Sequence, residues 1–265
     1  MNIIDKNEKV SIIMAAYNAG RTVDKAVRSA LAQTYPHFEL IVIDDCSTDN
    51  TVELVSAYHD PRIRLVCHKQ NKGVSLTRHE GVSLATGLLV AVLDSDDWWE
   101  PDKLRLQVEC MARTSASLVF TASTFMTSQG ADIPWVLHVP AEISYRKLLR
   151  QNLISNSSVL VRRDLYLRYE ELDDTTHEDF VCWLRMLRDG HKAVGIDQPL
   201  LHYRLSDNSK SSNKWKAFAM NWRTYRVVGL GLVEASYNML WYVVNGLVKY
   251  HRIEKHKNRI QCNKY

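Results

Sequence analysis

Short apolar runs alternate with amphipathic stretches through the first hundred residues, the pattern of βα units around a mostly parallel sheet. Residues 10–16 (VSIIMAA) read as a buried strand, and Tyr17-Asn18-Ala19-Gly20 as a turn. From Thr22, an N-cap candidate, Val23, Ala26, Val27, Ala30 and Leu31 recur at helical spacing, which predicts a helix ending near Tyr35-Pro36. Residues 40–43 (LIVI) form a second buried strand running into Asp44-Asp45, after which Asp49 or Thr51 caps a helix carrying Val52, Leu54, Val55 and Tyr58. A third strand covers 63–67. Asn71-Lys72-Gly73 turns into a helix through about Ala85, and the apolar run 88–93 (LLVAVL) ends on Asp94-Ser95-Asp96-Asp97. Pro101 opens a further helix at its first position.

Beyond residue 115 the periods shorten. Leu118, Phe120 and Ala122 alternate as in a half-buried strand, 158–161 reads as another, and 177–188 is a helix stopped by Gly190. Between Val227 and Val248 the only charge is Glu234, but Ser236, Asn238 and Asn245 with Gly229, Gly231 and Gly246 make a poor spanning helix. A helix pair lying on the domain or on a membrane face fits better. Its flanks Arg223, Arg226, Lys249, Arg252, Lys255, Lys257 and Arg259 suit anionic headgroups, or simply a solvated basic tail. The expected organisation is one α/β domain over 1–212, then a helical basic tail over 213–265.

Composition narrows this picture. With 46% hydrophobic and 24% charged residues, the 265-residue chain buries a full core, and a net charge of +4 is too small to make nucleic acid the main partner. Cys46, Cys67, Cys110, Cys182 and Cys262 are scattered, odd in number and free of CxxC pairs, as in a reduced cytoplasmic protein. The polar start, 1–9, lacks the apolar stretch of a secretory signal.

In parallel α/β sheets ligands bind beyond the carboxyl ends of strands, and both acidic clusters stand there. A DxD string alone is as well read as a solvated acidic turn. Several carboxylates beside an apolar strand raise one another's pKa, and a bound cation removes that cost. A few oxygen ligands, with phosphates completing the shell, suit magnesium or manganese. Asp44 and Asp45 can accept from a pyrimidine N3–H or from ribose hydroxyls. Asn71 to Arg78 places a Gly turn, a helix N-terminus and an arginine together, an anion site for a pyrophosphate, although an ordinary helix start has the same look. Glu178-Asp179 opens an amphipathic helix, where the acids serve as capping charges or as a general base. Trp98, Trp99 and Trp135 can stack on sugar faces or fill the core.

Taken together, VSIIMAAYNAG (10–20), LIVIDDCSTDNT (40–51), NKGVSLTRHEG (71–81), LDSDDWWEPDKL (93–104) and HEDFVCWLRML (177–187) resemble glycosyltransferase family 2, the inverting enzymes of GT-A fold that act on nucleotide-activated sugars. The segments occur in the family's order. The resemblance implies a Rossmann-like, mostly parallel central sheet flanked by helices, with a nucleotide-sugar half over about 1–115 and an acceptor half over about 116–212. It implies that Asp44 or Asp45 contacts a uracil-type base, Asp94 the ribose or phosphate side, and Asp96 a Mn2+ or Mg2+ ion. Asp179 would be the catalytic base, and Arg78 would lie near the base or diphosphate. PLLHYRLSDNSKS (199–211) resembles the family's YR-and-serine stretch, so Arg204 would reach the diphosphate as that loop closes. Ala16, Tyr17, Lys72 and Ser95 complete the implied donor set, with Glu178, Trp98 and Trp99 on the acceptor side.

The implied activity is transfer of a sugar from a UDP-sugar to a hydroxyl of a glycan acceptor on undecaprenyl diphosphate, in bacterial O-antigen, capsule or exopolysaccharide assembly. The place would be the cytoplasm, or the cytoplasmic face of the inner membrane. Other readings fit less of the pattern. A dehydrogenase wants GxGxxG where Tyr17 to Gly20 stand, and a phosphoacceptor domain is much shorter. A sugar nucleotidyltransferase wants a Gly-rich, Arg-bearing N-terminal loop, while a non-catalytic nucleotide- or polysaccharide-binding subunit stays open.

Overall fold

The computed structural model describes residues 4–206 and 214–262. The elements are β1 (Val10–Ala16), α1 (Val23–Leu31), β2 (Phe38–Asp44), α2 (Thr51–Ser56), β3 (Ile63–Cys67), α3 (Val74–Leu84), β4 (Leu89–Val92), β5 (Trp98–Trp99) and α4 (Lys103–Thr114). They continue as β6 (Leu118–Met126), β7 (Asp132–Leu137), α5 (Tyr145–Arg150), β8 (Leu160–Arg162), α6 (Arg163–Tyr169), α7 (Glu178–Arg188), β9 (Ala193–Arg204), α8 (Lys214–Val227) and α9 (Leu232–Cys262).

One sheet runs in the order β3-β2-β1-β4-β8-β6-β9-β5, with β7 added on β6. Its first four strands are parallel and linked by helical crossovers; β1, β2 and β4 are apolar runs covered on both faces, and β3 is the partly exposed edge. Past β4 the sheet is mixed: β8 and β5 are antiparallel to their neighbours, while β6 and β9 pair in parallel. One apolar layer packs β1, β2 and β4 under α1, α2 and α4; a second packs the other face under α3, α6 and α7 and extends to α8 and α9. The strand order reverses its winding at β1 and β4, so the crevice for a ligand opens beyond Ala16, Asp44 and Val92.

Several boundaries differ from the sequence pattern. Helix α1 stops at Leu31, because buried Gln33 leaves the helix to accept from Leu104 N–H (2.9 Å) and donate to the Glu100 carbonyl (2.8 Å). Tyr35, also buried, bonds the Lys6 and Glu8 carbonyls. Pro101 lies in the turn before α4, whose N-cap is Asp102. Asp49 accepts from Thr51 N–H (3.0 Å), yet the N-cap position of α2 is Asn50. Strand β6 is buried on both faces and shows no alternation of exposure. The basic tail is two helices, α8 and α9, and Lys249 turns inward, its Nζ 5.6 Å from the centre of the Phe125 ring. The serine part of the 199–211 segment and the side chains of Lys257 and Arg259 lie outside the described residues.

Candidate active site

Strand ends bring the acidic residues together. Asp44 is the last residue of β2, level with Ala16 of β1, and Asp45 N–H donates to the Ala16 carbonyl (2.8 Å). Beside them Tyr17 is exposed. Asp44 is buried; its Oδ2 accepts from Ser47 N–H (2.9 Å), and its Oδ1 has no partner. An unpaired buried acceptor is costly, and a donor group entering the crevice would satisfy Asp44 Oδ1. Asp45 is different, for its oxygens accept from Lys72 N–H (2.8 Å) and Gly73 N–H (2.9 Å) and meet His68 Nδ1 (2.8 Å). Burial opposes its charge, but the imidazole and the two amides outweigh burial and hold Asp45 below the usual carboxylate range. Gly73, at φ 87°, takes the left-handed turn that points both amides at Asp45.

The expected pyrophosphate cradle at the start of α3 is filled by the chain itself. Asp174 Oδ1 accepts from Ser75 Oγ (2.5 Å) and Ser75 N–H (3.3 Å), so a carboxylate from the loop before α7 caps that helix. Lys72 pairs with Glu80 (2.9 Å). Arg78 does not face an open anion site either. It is buried, with Nη2 on Asp94 Oδ1 and Nη1 on Glu178 Oε1, each at 2.6 Å. Asn156, with its amide oxygen turned toward it, accepts from Arg78 Nε (3.3 Å). Arg78 is therefore a strut tying the strand end of β4 to the first turn of α7.

Asp97 N–H donates to the Asp94 carbonyl (3.0 Å), closing Asp94-Ser95-Asp96-Asp97 into a turn, and Asp94 N–H donates to Ser157 Oγ (3.1 Å). Asp97 is buried, accepts from Arg204 N–H (2.8 Å) on Oδ1, and has no partner on Oδ2. Arg204 Nε donates to the Asp96 carbonyl (3.0 Å), so the last residue of β9 already stands against the acidic turn. Burial, and Asp94 beside it, push Asp96 up to about 6, and burial with both neighbours raises Asp97 well above its usual range. Two neighbouring carboxylates whose charge is disfavoured, one with an unpaired oxygen, fit a divalent cation. Among the described residues no three His, Cys, Asp or Glu side chains form a cage for a metal, so the donor set suits a cation bound through one or two carboxylates and completed by phosphate oxygens.

Asp179 stands half-buried in the first turn of α7, next to Glu178, and its Oδ1 accepts from Phe180 N–H (2.8 Å). Burial, and then the Glu178 charge, push its carboxyl up to about 7 despite Arg78 nearby. That is the range for a group that takes a proton at neutral pH. Trp99 is a core residue and not a sugar platform: it is 1% exposed, with Nε1 on the Ser157 carbonyl (2.7 Å). The Trp98 ring is engaged within the chain, stacked on His202 at 3.4 Å with Lys25 Nζ 4.1 Å from its centre. Trp135 is half-buried against Phe125 (5.2 Å).

Sequence reasoning missed His68, Asp174 and Ser157. His68 stands one residue past β3, where a strand-end rule could have found it. Asp174 and Ser157 act from irregular segments with no periodic signal.

A family model for glycosyl transferase family 2 matches residues 11–174. The chain belongs to that family. It is 35% identical over 91% of its length to TuaG of Bacillus subtilis (strain 168), named for teichuronic acid biosynthesis, covering 96% of that relative. It is 33% identical over 92% of its length to the Escherichia coli UDP-Glc:α-D-GlcNAc-diphosphoundecaprenol β-1,3-glucosyltransferase WfaP, again covering 96%. The crystal structure of S. aureus TarS 1-349 with UDP-GlcNAc superposes with TM-score 0.70 at 16% identity, over 89% of this chain and 71% of that one. Mannosyltransferase PcManGT of Pyrobaculum calidifontis with GDP-Man and Mn2+ gives TM-score 0.67 at 17% identity, over 88% and 68%. The GT-A fold and a glycosyltransferase activity follow for this protein.

Proposed function

We propose that this glycosyltransferase moves a hexose from a UDP-sugar to a hydroxyl of a glycan carried on a polyprenyl diphosphate, with inversion, in bacterial surface-polysaccharide assembly. The observation that carries the reading is Asp179, a carboxyl with its pKa raised to about 7, joined through Glu178, Arg78 and Asp94 to the acidic turn at the donor crevice. This link supports reading Asp179 as a base acting beside the departing diphosphate.

Residues 1–115 handle the donor and 116–212 the acceptor. Asp44 accepts from the base or ribose, and Asp94 and Ser95 line the nucleotide side. Asp96 is the residue suited to hold Mn2+ or Mg2+; when bound, such an ion supplies Lewis-acid stabilisation of the departing diphosphate. Asp97 positions Arg204, whose guanidinium adds positive charge beside the turn as the leaving group becomes more negative. Asp179 accepts the proton of the attacking hydroxyl. With one base and no carboxylate nucleophile, attack occurs once and from the opposite face, giving a β-linked product from an α-linked donor. The diphosphoundecaprenol acceptor and the β linkage in the name of the E. coli relative support this choice. The lipid carrier of such an acceptor would place the enzyme at the cytoplasmic face of the membrane.

Incubation with UDP-sugars, Mn2+ and a polyprenyl-diphosphate-linked acceptor tests the reading. Acceptor-dependent release of UDP is expected. A protein that binds UDP-sugar yet releases no UDP with any acceptor is a binding subunit.

A further inference from the structure

Helix α9 is apolar on two opposite sides. Ala235, Met239, Tyr242 and Ile253 point at the domain, where the Tyr242 ring lies 6.0 Å from Phe180 and Asn245 Nδ2 donates to the Arg150 carbonyl (3.1 Å). The other side should be polar in a helix that meets only water. Instead Val233, Tyr237, Leu240, Val244, Leu247 and Val248 are exposed, Val233 to 86%. At 100° per residue these six fall within about 100° of one another, a single outward stripe. From 232 to 248 the stripe is about 25 Å long at 1.5 Å per residue. Helix α8 adds two exposed apolar side chains of its own, Trp215, 84% exposed, and Phe218. Single exposed apolar residues need no explanation, but a continuous stripe calls for a covering partner.

Charge identifies that partner. Residues 214–265 carry ten Lys and Arg against two Glu, a formal +8, whereas residues 1–213 carry 24 basic and 28 acidic residues, a formal −4. All of the protein's net positive charge therefore sits on the segment that presents the apolar stripe. A second copy on this face would bring two strongly cationic surfaces together. An anionic lipid surface accepts both features at once, apolar side chains among the acyl chains and cations at the headgroups. Exposed Arg223, Arg226, Arg252 and Lys255 are the cations available for that contact. Trp215, Tyr237 and Trp241 suit the boundary between the two. Among the described residues no helix is long and apolar enough to cross a membrane, so the helices lie in its plane.

We propose that the outer face of α8 and α9 docks in the headgroup plane of an anionic bilayer. Because Tyr242, on the inner side of α9, packs on the residue after Asp179, the base then stands more than one helix diameter, above roughly 10 Å, from that plane. An acceptor sugar would reach Asp179 with its lipid still in the membrane. The docking surface stands on exposure and charge alone; its use for presenting the acceptor rests on the function proposed above.

The test is co-sedimentation of the full chain with vesicles of phosphatidylglycerol and phosphatidylcholine, against phosphatidylcholine alone, for the wild type and for Leu240→Glu/Leu247→Glu. Mn2+-dependent UDP release with a soluble acceptor is measured in parallel. The wild type should pellet with the anionic vesicles only, and less so in 1 M salt, where charges are screened beyond about 3 Å. The double variant should bind those vesicles about tenfold more weakly or worse, two apolar anchors having been replaced by charges, with UDP release unchanged. Three results would overturn docking: a wild type that stays in the supernatant, a double variant that pellets like the wild type, or a concentration-dependent dimer abolished by the double variant. Vesicle binding without UDP release would leave the docking surface supported and remove only the proposed reaction.

Discussion

Arg78→Met removes the strut that joins Asp94 to Glu178. Both bonds are 2.6 Å, and the Arg78 side chain is 9% exposed, so the substitution takes from both carboxylates the buried guanidinium they share. Breaking a buried pair in this way costs about 3–5 kcal/mol. Asp94 keeps some contact with water, which favours the lower part of that range, about 3–4 kcal/mol. For a domain of this size each kcal/mol moves Tm by about 2–4 °C, so the loss at pH 8 is about 6–16 °C. The sign with pH follows from protonation. Removing Arg78 takes away an opposite charge that favours the ionised form of both acids, so the cost is felt where they are ionised and is relieved where they take up protons. The deficit must therefore shrink at pH 5. Arg78→Lys, which keeps the charge but cannot fork between two carboxylates, should fall between wild type and Met. Differential scanning fluorimetry at pH 5 and pH 8 reads all three proteins. A loss under 2 °C at pH 8, or one equal at both pH values, would refute the strut.

Four further outcomes follow from the structure. Asp179→Asn should keep UDP-sugar binding and lose transfer by about 10²–10⁴-fold, the usual share of a general base. In the wild type kcat/KM should climb with pH up to about 7, where burial and Glu178 place Asp179, and then level off; a flat profile from pH 5 to 9 contradicts that role. Asp96→Ala should abolish the dependence of UDP-sugar affinity on Mn2+ in titration calorimetry, and an unchanged metal dependence would move the ion to another ligand. Gly195→Ala would put a Cβ 2.1 Å from the Pro140 carbonyl, a backbone atom that cannot swing away, so a Tm loss matching about 1–3 kcal/mol of overpacking is expected in thermal melts.

The first hundred residues were legible in the sequence because their central parallel strands are buried on both faces, which writes them as unbroken apolar runs such as LIVI at 40–43 and LLVAVL at 88–93. Asp44, Asp45 and the acidic turn were legible for the same reason, since each follows such a run. The second half was not. Strand β9 contains Gly195 and Pro199 and shifts register against β6 between Thr121 and Ser123, so no unbroken apolar run or clean alternation marks it. Strand β5 is two tryptophans long. Site residues whose partners come from distant segments were left open by the sequence. Arg78 reads as an anion ligand until Asp94 and Glu178 are seen on either side of it. The start of α3 reads as a phosphate cradle until Asp174, a hundred residues on, caps it.

The central claim is a single displacement at the sugar carbon, driven by Asp179 beside the acidic turn. The most direct measurement is the anomeric configuration of the product, read by NMR after transfer from an α-linked UDP-sugar by the purified protein. A β-linked product that disappears with Asp179→Asn is predicted. An α-linked product, or the same β-linked product formed at wild-type rate by Asp179→Asn, would contradict it.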